Sequence, residues 1–102
     1  MIKHIVMFRI MGTASFEERK AAAMELSAIF SSLESLACVA EFRTGINFLG
    51  SDAAWDFVID SLFESRENLI EYQKSIEHTA AVRAASHISK EKAVVDYEIK
   101  EK

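Results

Sequence analysis

The sequence contains no proline and only three glycines among its 102 residues. Proline- and glycine-rich composition marks linkers and disordered tracts, so a chain this poor in both is expected to be packed along its length. Cys38 is its single cysteine. One thiol excludes an intrachain disulfide and a thiolate metal cluster, and a small buried side chain is its expected role. No apolar run reaches membrane-spanning length, and the first residues carry no signal-peptide apolar stretch. Together with the lone thiol, this makes the cytoplasm the expected location. Basic residues are in the minority: 12 Lys and Arg stand against 16 Asp and Glu, a formal charge of −4. That balance disfavours polyanions, so neither nucleic acid nor an anionic membrane is an expected partner. Also missing are a Gly-rich phosphate loop, a dinucleotide fingerprint and a serine-nucleophile motif. His4, His78, Asp96 and Glu98 are the nearest approach to a ligand set, but no HxxxH or ExxH spacing joins them. No metal and no cofactor are expected.

What is present is apolar residues, 50% of the chain, enough for one small core. One domain over 1–102 is expected. IKHIVMFRIM (2–11) is rich in β-branched and aromatic residues and reads as a strand, with Ile2, His4, Val6, Phe8 and Ile10 on one face and Lys3, Ile5, Met7, Arg9 and Met11 on the other. Gly12-Thr13-Ala14 is a short connection. Ser15 and Glu18 then form a capping-box pattern, and Leu26, Ile29, Phe30 and Leu33, extended by Ala22, give an amphipathic helix fading near Leu36. Segments 39–48 and 54–63 flank the turn LGSDA and read as a hairpin. Phe42, Thr44, Ile46 and Phe48 share one side of the first, while Trp55, Phe57, Ile59 and Phe63 oppose Asp56, Val58, Asp60 and Leu62 on the second. Ser65 caps a second helix with Leu69, Tyr72 and Ile76 inward. A shifted stripe of Ala81, Val82, Ala85 and Ile88 follows, and KAVVDYEI (92–99) is the last strand. The order β-α-β-β-α-β is the α+β ferredoxin-like pattern, a four-stranded antiparallel sheet with both helices on one face. The other face, with Ile5, Met7, Val58 and Leu62, is then bare, and a homodimer packed sheet against sheet is the economical way to cover it.

The stretch EYQKSIEHTA (71–80) carries the main chemical candidates. Six residues of ideal helix turn about 600°, leaving Tyr72 and His78 about 120° apart. The shifted stripe places a break near Ser75, which can cap a new helix with His78 at its third position. A kink there aims both side chains at the sheet. His78 then leads the stripe Ala81, Val82, Ala85 and faces inward. An inward histidine is either a hydrogen-bonded core residue or an acid/base group, because a semi-buried imidazole titrates near neutrality. Tyr72 is either core with a satisfied hydroxyl or a donor. His4 sits on an apolar strand face, as a strand-end residue or a site residue. Asp96 is a carboxylate amid apolar residues and wants a partner. First and last strands lie close in this fold, so it reaches His4 or His78, or else lies on the dimer side with Arg9 or Arg43. Asp56 and Asp60 are expected on that dimer side or at solvent-facing edges. His87, late in its helix, needs only the helix C-terminus to explain it.

The pieces KHIVMFR, GIN, FES, Tyr72 followed by His78, and VVDYE together resemble the stress-responsive A/B barrel (Dabb) family over nearly the whole chain. The resemblance implies a dimeric α+β barrel. Where the family usually shows His-Pro in the second helical region, Ser75 and Ile76 stand here. One plant branch comprises polyketide cyclases such as olivetolic acid cyclase. By that resemblance His78 corresponds to the base and Tyr72 to a substrate-holding hydroxyl, with His4 and Asp96 near the pocket, while Phe57 replaces a further cavity histidine. Two function classes follow. One is a small enzyme binding an apolar or aromatic molecule between sheet and helices, with His78 as base, Tyr72 on the oxyanion and Asp96 orienting an imidazole. The other is a non-catalytic stress-response or structural dimer in which the same residues are structural. A cofactor-free monooxygenase of the antibiotic-biosynthesis type shares the dimeric barrel and is the third alternative.

Overall fold

β1 (Ile2–Arg9) follows the alternation of its sequence: Ile2, His4, Val6 and Phe8 are buried and the residues between them are half-buried. The computed structural model describes residues 1–10 and 14–100. After β1 come α1 (Phe16–Phe30), a 3₁₀ helix (Ser31–Ser35), β2 (Glu41–Ile46), β3 (Phe57–Phe63), α2 (Arg66–Lys74), α3 (Ile76–Ala85) and β4 (Glu91–Glu98). The sheet order is β2-β3-β1-β4, with every neighbouring pair antiparallel. This is the ferredoxin-like arrangement read from the sequence. The helices cover the face that carries His4, Val6 and Phe8, and the core lies between them.

Local signals explain the element starts. Ser15 accepts from the Glu18 N–H and the Glu18 carboxylate accepts from the Ser15 N–H, completing the capping box. The buried stripe of α1 is Ala23, Leu26 and Phe30, so Ala23, not Ala22, extends it. Ser65 caps α2 by accepting from the Asn68 N–H. The expected break falls at Ser75, which has extended backbone (φ −64°, ψ 151°) and is at once the last cap of α2 and the first of α3. Ile76 therefore does not continue the stripe of Leu69 and Tyr72. It opens α3 on the outside and is 85% exposed.

The strands are trimmed relative to expectation. β1 ends at Arg9, and the expected continuation to Met11 and the Gly12-Thr13 connection lie outside the described residues. β2 stops at Ile46, leaving Phe48 beyond it and 82% exposed; of the four residues expected to share one side, Phe42 alone is buried. β3 begins at Phe57, and Asp56 just before it is buried. Its carboxylate accepts from the Ile10 N–H at 2.7 Å and from the Arg19 guanidinium at 3.1 Å. A buried carboxylate needs such donors. Asp56 thus ties the end of β1 to α1 rather than lying on the bare face or at a solvent-facing edge.

The bare sheet face carries Ile5, Met7, Val58 and Leu62, joined from β4 by Val95 and Tyr97, 55% and 49% exposed. Lys3 and Asp60 pair there at 2.8 Å, and Arg9 pairs with Glu91 at 2.7 Å while lying over the Trp55 ring.

Ser75→Ala removes the shared cap and is expected to cost about 1 kcal/mol of unfolding free energy in urea titration. Adding Ile76→Pro to that variant recovers about 0.4–1 kcal/mol. The first helical N–H lacks an intrahelical acceptor, Ser75 is already extended, and proline restricts the unfolded chain.

Candidate functional site

Antiparallel pairing sets the first contact. His4 lies opposite Ser61 on β3 and opposite Asp96 on β4. Residues in register share a face, so Asp96 stands beside His4 under the helices. The His4 Nδ1 is hydrogen-bonded to the Asp96 carboxylate. A carboxylate only accepts, so the proton sits on Nδ1 and any lone pair of the ring is on Nε2. On the other side the Ser61 hydroxyl donates to the His4 carbonyl at 3.2 Å. Asp96 therefore pairs with His4, not with His78, Arg9 or Arg43; Arg9 takes Glu91 and Arg43 takes Glu41.

The break at Ser75 sets the second contact. The Ser75 hydroxyl donates to the Tyr72 carbonyl at 2.7 Å and accepts from the His78 N–H at 3.1 Å. Across this bridge the Tyr72 and His78 rings come to 4.7 Å between centroids, at 59°. Tyr72 also meets the His4 ring edge-on at 6.1 Å and Phe63 at 5.0 Å. Tyr72, His78 and His4 thus form one cluster, with Asp96 attached through His4.

His4, Tyr72 and His78 line a cavity of about 90 Å³ between α3 and β4, with Val6, Val82 and Val94 among its apolar walls. A second hollow of about 200 Å³ continues from it toward Ser86 and Ser89, sharing Phe8, Phe30, Val82 and Lys92. Phe57 does not enter this space. It packs on Phe8 and Phe30 in the core. Trp55 lies under Arg9 on the far side of the sheet.

Burial pushes the Tyr72 hydroxyl up to about 12, with nearby Cys38 adding to the effect. The hydroxyl is thus a protonated donor at neutral pH. Among the described residues it has no hydrogen-bond partner, and no fully buried side-chain polar atom lacks one, so this hydroxyl meets open space. His78 is held below its ordinary value, first by burial, then by His4 and Lys92, partly opposed by hydrogen bonding to the Gln73 backbone. It is therefore a neutral base at pH 7. Cys38 is free and buried, its thiol pushed up by burial and by Glu71.

Other candidates lie elsewhere. His87 is exposed in the turn after α3. Glu98 pairs with Arg66 at 3.0 Å. Among the described residues no three His, Cys, Asp or Glu side chains gather as a metal-binding group, and no helix is long and apolar enough to cross a membrane. Sequence reading passed over Lys92 and Gln73, which line the cavity. Lys92 was findable: strand alternation puts it on the face of Val94 and Asp96.

The family model described as Stress responsive A/B Barrel Domain matches residues 2–99. The chain belongs to this family. Solved structures agree with the fold. A dimeric protein of ferredoxin-like fold from Bacteroides fragilis is 23% identical, with a TM-score of 0.82 over 96% of this chain and 95% of its own. A dimeric ferredoxin-like protein from Thermobifida fusca is 17% identical, with a TM-score of 0.79 over 96% and 90%. A hydroxynitrile lyase from Passiflora edulis is 18% identical, with a TM-score of 0.75 over 99% and 94%. Likeness at this identity speaks for the fold alone. No curated protein sequence matches this Dabb chain.

The depressed His78 makes a stability prediction. Unfolded, this histidine takes a proton near 6.5; folded, it does so only at lower pH. Between those values the unfolded chain binds more protons, so stability is full above about 6.5 and falls as pH drops through the folded value. Thermal unfolding from pH 7.5 to 5 should show the wild type losing more stability than His78→Gln over that window.

Proposed function

We propose that this Dabb protein binds a small, mainly apolar or aromatic carbonyl compound between α3 and β4 and performs acid/base chemistry on it, of the kind used in polyketide ring closure. The observation that carries this reading is the convergence of Tyr72 and His78 on one cavity, with opposite proton roles. His78 takes a proton from a carbon beside the carbonyl, and the Tyr72 hydroxyl donates to the developing enolate oxygen. His4, its ring orientation held by Asp96, borders the same space. Apart from Gln73 and Lys92 the rest of the wall is apolar, which strengthens each of these interactions by limiting water. The deep cavity is small beside the roughly 300–1,000 Å³ of drug-sized sites, so the reacting part of the ligand is compact. The hydroxynitrile lyase among the structural neighbours supports the reading to the extent that this fold is compatible with catalysis.

Benzoylacetone is a suitable probe, since its acidic carbon-bound proton exchanges visibly in deuterium oxide. Wild-type protein is expected to accelerate that exchange, and His78→Gln to lower the acceleration by about 10²–10⁴-fold. Tyr72→Phe should lower it as well. The acid limb of the rate profile should have its midpoint below 6.5, because His78 is depressed. Exchange that is unchanged in His78→Gln leaves the chemistry without its base and the residues structural.

We infer also that two copies pack through the bare sheet face. Its apolar centre of Ile5, Met7, Val58, Leu62 and Val95 supports this, as do the dimeric neighbours. An apolar hollow of about 320 Å³ lies on the same side, beside Met7, Val58 and Phe48. Sedimentation should return twice the chain mass for the wild type and one chain mass for Met7→Glu, which buries unpaired charge at the contact.

A further inference from the structure

We propose that the ligand of the α3–β4 cavity is an anionic amphiphile: an aromatic or aliphatic body in the groove with a carboxylate-like group at Lys92. This rests on the small-molecule reading above and adds the charge of the ligand. Lys92 borders both the deep cavity and the hollow that continues from it. Among the described residues it has no ion-pair or hydrogen-bond partner. Lys90, the other ammonium of the groove, is already tied to the Ser86 carbonyl at 2.8 Å. Neither compartment has an Asp or Glu in its wall. This matters in a chain whose formal charge is −4, where a groove free of acidic side chains and edged by two lysines is a local reversal of sign. Of the β4 carboxylates, Asp96 is paired with His4 of the deep cavity, and Glu91 with Arg9 on the opposite face. Phe8 and Phe30 line the passage from Lys92 to the histidines and suit a flat or extended apolar body. A ligand anchored at Lys92 places its far end toward His78 and Tyr72.

Two fluorescent probes separate the claims. 1-Anilinonaphthalene-8-sulfonate is an anionic aromatic, and N-phenyl-1-naphthylamine has the same body without charge. Wild-type protein is expected to bind both. Lys92→Met keeps the apolar stem and removes the charge; it should weaken the sulfonate about fivefold and leave the neutral probe within about twofold. Added salt should weaken the sulfonate alone in the wild type, a result that needs no variant. Val82→Phe, with its melting temperature checked, should weaken both probes by filling the groove. If Lys92→Met changes both probes equally or neither, while Val82→Phe weakens both, the charge assignment is overturned and the pocket stands. If the wild type binds neither probe, or Val82→Phe affects neither, the pocket reading falls and the charge assignment with it.

Discussion

The Ser75 hydroxyl bridges two backbone groups, the Tyr72 carbonyl behind it and the His78 N–H ahead. On an unbroken helix two side chains six residues apart diverge by about 120°. With the chain extended for one residue at Ser75, their rings stand 4.7 Å apart over the same cavity. The bridge also satisfies one carbonyl and one N–H among the groups that helix ends leave open. Proline at position 76 would enforce the break by removing an N–H; Ser75 does so by bonding the backbone on both sides of it.

Much of this was legible in the sequence. The inward face of β1 could be read because its alternation is unbroken from Ile2 to Phe8, and His4 is the polar exception that marks the site. The break was legible because the apolar stripe changes phase between Tyr72 and Ala81. What resisted reading was register and the paths of the loops. Whether Asp96 meets His4, His78 or an arginine depends on a shift of one or two residues along β4, which no local pattern specifies. Asp56 looked like an outward strand residue because alternation was carried past the point where the strand begins. Its burial depends on Arg19 and the Ile10 N–H, partners distant in sequence. Ile76 was misplaced because hydrophobicity was followed across the very break that re-phases the helix. Lys92 was overlooked because a lysine near a strand end reads as solvated, although its alternation class was plain.

The two histidines of the site have different surroundings. His4 has a carboxylate on Nδ1, which fixes its tautomer and ring orientation. His78 has no carboxylate partner among the described residues; burial, His4 and Lys92 all oppose its protonation. Tyr72 stands between them, buried and protonated. Among the described residues no fully buried side-chain polar atom lacks a partner, so the cluster places polar rings in the core without an uncompensated group.

β4 links the two faces of the molecule. Its odd and even residues diverge: Lys92, Val94 and Asp96 lie toward the helices, Ala93, Val95 and Tyr97 toward the bare face. A slip of one residue would exchange the two sets, removing the carboxylate from His4 and placing charges in the apolar sheet surface. Edge strands are prone to such slips, and this one is pinned at several points. The Ser89 hydroxyl donates to the Arg9 carbonyl before the strand starts, Arg9 holds Glu91, Arg66 holds Glu98, and the Ile99 N–H donates to the Met1 carbonyl after it ends. Exposed ion pairs contribute little energy individually, but in the wrong register each would be lost together with the apolar pairing. The same register therefore sets the site on one face and the apolar surface on the other, and neither can be rebuilt by substitutions that move the strand without disturbing its counterpart.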